Sequence, residues 1–306
     1  MERNNFQLKF ILDKLSIVQN ENIQNHNQPL INDLENLQPE ANLPTPNNPP
    51  WNSLMAFLVW IASVLFIAIV PSFGLLIYLA TQGVNLSDSS KLMDSIQSDP
   101  YSLLINILGV IPAHILTILL AWLIVTYGNK YSFREMLGWE WGGFGILTLV
   151  GIVVGFFIVS ALVTQVLPQE ENDVIRLLRS SRSAVFVVAF MATFTAPLVE
   201  EVVYRGILYS AFQRTFGVPI AVFFVTLLFA AVHVPQYYPS YATIFVICLL
   251  SLVITLVRVK SNNLLPCIIL HTIFNGVQSA LLIAEPYLRQ YFPEDQPQSA
   301  FFFWLN

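Results

Sequence analysis

The stretch TAPLVEEVVYRGILYSAF, residues 195–212, sets two adjacent carboxylates, Glu200 and Glu201, and one guanidinium, Arg205, in an otherwise apolar run. Such a run predicts a helix that belongs in lipid. A charge at mid-bilayer costs from ~2.5 to more than ~10 kcal/mol depending on the reference state, so intramembrane charges mark functional sites by default. Two neighbouring carboxylates sharpen the point, because each opposes the ionisation of the other. Helical spacing then separates them. Glu201 and Arg205 are i,i+4 with the acid on the N-terminal side, the favourable order for an ion pair. Glu200 lies ~100° around the helix from Glu201 and is free to face something else. The expected division is a structural Glu201–Arg205 pair and a chemically available Glu200.

Outward from this stretch the chain keeps the same character. Of its 306 residues 55% are hydrophobic and 11% charged, which excludes an ordinary soluble domain and predicts an all-α, polytopic transmembrane helical bundle enclosing a polar intramembrane cavity. Apolar runs long enough to span fall at about 54–80, 102–127, 143–167, 184–209, 217–235, 243–259 and 264–284, seven spans, or eight with surface helices. Pro71 and Pro112 are expected to kink the first two. Residues 1–53 form a polar N-terminal region: 6–18 read as an amphipathic surface helix and 19–53, rich in Asn, Gln and Pro, as a disordered linker. Trp51 and Trp60 read as an interfacial anchor. Two N-terminal transmembrane helices then occupy 54–142, a helical core 143–285, and an aromatic interfacial tail 286–306. The loop at 168–183 carries a surface helix through Val174, Leu177 and Leu178. The balance of Lys and Arg favours a cytoplasmic N-terminus, with Arg176, Arg179 and Arg182 in dissent. The net charge of −5 is scattered and offers nothing to nucleic acid. Cys248 and Cys267 sit in apolar runs without metal or redox spacing and read as packing residues.

Polar residues recur at helical spacing on two further spans. Phe229 and His233 are i,i+4 in LLFAAVHVP, and His271 and Asn275 are i,i+4 in CIILHTIFNG, so each pair shares a helix face. His114 stands alone on the second span and reads as a hydrogen-bonded packing residue; His26 lies in the linker. Buried polar residues can simply join helices, at roughly 0.6–2 kcal/mol each. A carboxylate, two imidazoles and a carboxamide on three spans are also the parts of a hydrolytic site: a general base, a proton partner and oxyanion donors.

These motifs carry a resemblance. EEVVYR (Glu200 to Arg205), FAAVH (Phe229 to His233) and HTIFN (His271 to Asn275) match, in order, the EExxxR, FxxxH and HxxxN motifs of the CPBP family, the CAAX proteases and bacteriocin-processing enzymes. The resemblance covers about residues 143–285. It implies an intramembrane endopeptidase of the type II CAAX prenyl protease kind in a multi-pass, plasma-membrane protein of a bacterium. Its substrate would be a hydrophobic or lipid-modified peptide or protein within the bilayer. By this resemblance Glu200 activates water with help from His233, His271 and Asn275 form the oxyanion site, and Glu201, Arg205 and Phe229 support the cavity. No cofactor is favoured. A zinc alternative stays open, with Glu200, His233 and His271 as the ligand set, although no HExxH is present. Rival readings are a non-catalytic scaffold, a bacteriocin-immunity pseudoenzyme of the same fold, and a proton-relay transporter, the last weakened by the lack of a visible inverted repeat.

Overall fold

The computed structural model describes residues 44–167 and 181–288. The helix expected at 6–18, residues 19–43 of the linker with His26, the surface helix through Val174, and the tail from 289 onward lie outside the described residues.

Within these limits the chain is helical, with no β-strand among the described residues. In order come α1 (Ser53–Thr81), α2 (Ser89–Ser98), α3 (Pro100–Leu108), α4 (Val110–Val125), α5 (Phe133–Leu137) and α6 (Ile146–Val166). A long run, α7, covers Arg182–Phe216. Then follow α8 (Val218–Tyr237), α9 (Tyr241–Ser261) and α10 (Leu265–Leu288). Among the described residues seven stretches are long and apolar enough to cross a membrane, so the chain is an integral, multi-pass membrane protein. Their outer faces carry Ile69, Leu119, Val154, Phe223 and Phe245, exposed as lipid-facing side chains are.

Local chemistry explains the boundaries. The Asn52 side chain caps α1 by accepting from the Met55 amide, and Ser181 caps α7 by accepting from Ala184. The second span departs from expectation: it is broken at Gly109, between α3 and α4, and not at Pro112 itself. Pro112 has no N–H for the Leu108 carbonyl, one turn earlier, so the ladder fails just before it. Gly109 also sits against α1, where a Cβ would come within 2.6 Å of the Pro71 Cα. Pro71 itself is accommodated inside an unbroken α1.

The core is a cluster that joins α1, α4, α6, α8, α9 and α10 around the middle of α7. There Gly206 allows close approach, since a Cβ would lie 2.8 Å from Leu137 Cδ2 of α5. The segment 44–52 is a second correction. In place of a linker it forms a strap packed on the helix ends. Its carbonyls accept from Gln213 (Asn47 O, 2.9 Å), from Arg214 (Pro49 O, and Trp51 O at 3.1 Å) and from Arg258 (Pro46 O, 3.0 Å). Trp51 is fully buried, its indole N–H donating to Ile207 O at 3.1 Å. It is a core residue and not an interfacial anchor. Trp60 is also turned inward, donating to the Tyr204 hydroxyl at 3.0 Å.

Candidate functional site

The site is built on α7, which is not a uniform helix. Its α-helical turn Ala196–Glu201 is flanked by two π-helical stretches, Met191–Thr195 and Val202–Leu208. Single π turns inside α-helices often sit at functional sites. In the first of them the sequence leaves one carbonyl without a backbone donor. In π register each carbonyl accepts from the amide five residues on, as Met191 O does from the Ala196 N–H. The next carbonyl, Ala192 O, would need the N–H of residue 197, which is proline and has none. Asn275 of α10 supplies it: its Nδ2 donates to Ala192 O at 2.8 Å. This bond fixes the carboxamide orientation and leaves the second Nδ2 hydrogen available.

The glutamates are separated as helical spacing predicts. Glu201 and Arg205 are both 0% exposed and joined by Arg205 Nη1 to Glu201 Oε1 at 2.9 Å. The other two Arg205 nitrogens are also bonded, Nε to Thr255 Oγ1 (3.1 Å) and Nη2 to Ser251 O (2.8 Å) and Ser251 Oγ (2.7 Å) of α9. Arg205 is thereby satisfied without solvent. Glu200 keeps 23% of its side chain exposed.

The histidines refine that division. His271 Nδ1 lies 2.8 Å from Glu201 Oε1, while its Nε2 lies 3.8 Å from Glu200 Oε2. Both carboxylates therefore converge on one imidazole, one by a short hydrogen bond and one beyond hydrogen-bond reach. Glu201 is more than a strut for Arg205, because Arg205, Glu201 and His271 form a chain across α7 and α10. A carboxylate accepts, so the His271 Nδ1 carries the hydrogen. His233 Nδ1 lies 2.7 Å from the Phe229 carbonyl, which likewise only accepts. Its Nε2 is thus the free lone pair of the neutral ring.

Phe229 holds the assembly together. The Arg205 guanidinium lies 4.8 Å from its ring centroid, the His233 ring 4.7 Å and the His271 ring 6.1 Å, edge-on. A cation over an aromatic face is stabilised by the ring quadrupole. Spacing within one helix pairs Phe229 with His233 but gives no sign of its contact with Arg205. Thr195, Ser251, Thr255 and Tyr204 have site contacts, and Pro197 a missing N–H, that sequence reasoning passed over. Of these, Pro197 alone carried a readable signal, a helix-breaking residue three positions before Glu200.

Among the described residues no group of three or more His, Cys, Asp or Glu side chains is gathered closely enough to hold a metal ion. Glu200, His233 and His271 are therefore not drawn together as a ready-made zinc set. The two cysteines are free thiols, Cys267 buried and Cys248 half-buried.

Comparison with known proteins agrees with the motifs. Residues 182–277 match the family model for type II CAAX prenyl endopeptidase Rce1-like proteins, a stretch that contains Glu200, His233, His271 and Asn275. No curated protein and no solved structure matches the chain.

Proposed function

We infer, from the type II CAAX prenyl endopeptidase Rce1-like family to which residues 182–277 are matched, that the protein is an intramembrane endopeptidase acting on a hydrophobic or lipid-modified peptide. The observation that carries the assignment of roles is the asymmetry of the two glutamates: Glu201 is sealed on Arg205 and His271, while Glu200 is partly open. A general base must reach water, so Glu200 takes that role. It removes a proton from water as the oxygen attacks the scissile carbonyl, and His233 Nε2 accepts the hydrogen bond from the other water hydrogen. The oxyanion receives the free Nδ2 hydrogen of Asn275 and, when the ring carries its second proton, the Nε2 hydrogen of His271. Protonated Glu200 then returns its proton to the leaving amine as the C–N bond breaks. The hydrogen on His271 Nδ1 stays with Glu201 throughout, which holds the ring in orientation.

The test is cleavage of prenylated and unprenylated membrane peptides by purified protein. Glu200→Gln should lower kcat by roughly 100-fold or more, the usual scale for loss of a positioned base, and His233→Ala by a similar order. Should both variants cleave as well as wild type, the roles given to Glu200 and His233 fail; should wild type cleave none of the peptides, the peptidase reading fails and the protein is a non-catalytic member of its fold.

A further inference from the structure

His114 reads from sequence as a packing residue, and the proposed mechanism does not use it. It lies on α4 (Val110–Val125), is buried, and its Nδ1 is 3.0 Å from Thr195 Oγ1, the last residue of the first π-helical stretch. The Thr195 hydroxyl has one hydrogen, and it donates to Met191 O at 3.3 Å. With that hydrogen on Met191 O, the bond from His114 runs from Nδ1–H to the Thr195 oxygen; in the other tautomer the hydroxyl donates to Nδ1, and the two residues are joined either way. The same five-residue turn is held from the opposite side by α10. There Asn275 donates to Ala192 O at 2.8 Å, and Thr193 donates to Ser279 at 3.0 Å. A π turn is an unfavourable register for a helix and reverts unless its surroundings hold it. Here it is clamped by α4 through His114 and by α10 through Asn275. Loss of either clamp lets the turn close up, moves Ala192 O, and with it the carboxamide that the carbonyl orients.

We propose that His114 is a positioning residue for Asn275: through Thr195 it holds the π-helical turn Met191–Thr195 in the register that aims the Asn275 amide at the reacting carbonyl. This proposal rests on the peptidase reading for its functional consequence but not for its structural content.

The experiment is a double-mutant cycle in purified protein with His114→Ala, Asn275→Ala and the double variant, with His114→Asn as the conservative control. An Asn side chain keeps an N–H donor near the position of Nδ1. His114→Ala should lower kcat about tenfold with KM within about twofold, and His114→Asn should recover most of the loss. On the Asn275→Ala background, His114→Ala should change kcat by less than about threefold, because residues acting through one element are not additive. Multiplicative effects, or wild-type kcat for His114→Ala, overturn the proposal while leaving the peptidase reading intact. If the wild-type protein cleaves nothing, the peptidase reading falls and the same four proteins are compared by thermal unfolding. A Tm loss in the double variant clearly smaller than the two single losses combined supports the shared clamp; additive losses reject it.

Discussion

At the residue scale the two adjacent glutamates do different work because their surroundings differ. Glu201 Oε1 accepts from both Arg205 and His271, yet its Oε2 has no hydrogen-bond partner among the described residues. Glu201→Gln should therefore cost stability first, since it leaves the buried Arg205 guanidinium without its counter-charge; removing one partner of a buried pair typically costs ~3–5 kcal/mol. Thermal unfolding in detergent should show a clear fall in Tm for Glu201→Gln and none for Glu200→Gln. A normally folded Glu201→Gln protein with only a kinetic defect would reverse the assignment. Spacing along one helix was enough to read the Glu201–Arg205 pair and the separate face of Glu200. It did not reach the His271–Glu201 bond. That contact joins two spans, and the rotation of one helix against another is set by packing of Phe229 and its neighbours, which no i,i+4 rule encodes.

At the scale of the element, α7 departs from α-helical register on both sides of the glutamates, and a proline follows directly on the first departure. Pro197 denies Ala192 O its π-register donor, and Asn275 fills the gap. Restoring the amide with Pro197→Ala gives Ala192 O a local donor that competes with Asn275. The helix should tolerate this well, because alanine is the better helix former by up to ~3 kcal/mol in an interior position. Tm should stay level or rise while kcat falls about tenfold, through loss of a fixed oxyanion donor. A Pro197→Ala protein with full activity would show that the carboxamide is oriented by other contacts. The span boundaries themselves were legible from hydropathy, to within a few residues for most spans. The fourth was read short at 184–209, against Arg182–Phe216, because the polar residues of its last turns, Gln213 and Arg214, look like a loop when read alone. They continue the helix because the strap takes up their donors.

At the scale of the whole molecule the strap 44–52 shows what composition alone conceals. Asn- and Pro-rich sequence reads as a linker because it lacks a hydrophobic period, but irregular backbone is stable wherever side chains satisfy its carbonyls. Arg214 and Gln213 do so here, with Trp51 inserted as an apolar plug. Arg258 is the odd member. It is buried, donates to Pro46 O, and packs over the Tyr209 ring at 5.4 Å, but its Nε and Nη1 have no hydrogen-bond partner among the described residues. No salt bridge among the described residues includes it. A buried cation in that state bears a desolvation cost that one carbonyl and one aromatic face offset only in part. Arg258→Met, which keeps much of the side-chain volume and removes the charge, should leave Tm unchanged or raise it, where replacement of buried ionic groups by apolar ones gains up to ~1–4 kcal/mol. Trp51→Ala, which empties a filled site beneath the same strap, should instead lose ~3–5 kcal/mol. Thermal unfolding of the two variants in one detergent decides the matter. A large loss on Arg258→Met would mean that the guanidinium, and not the indole, is what fastens the strap to the helix ends.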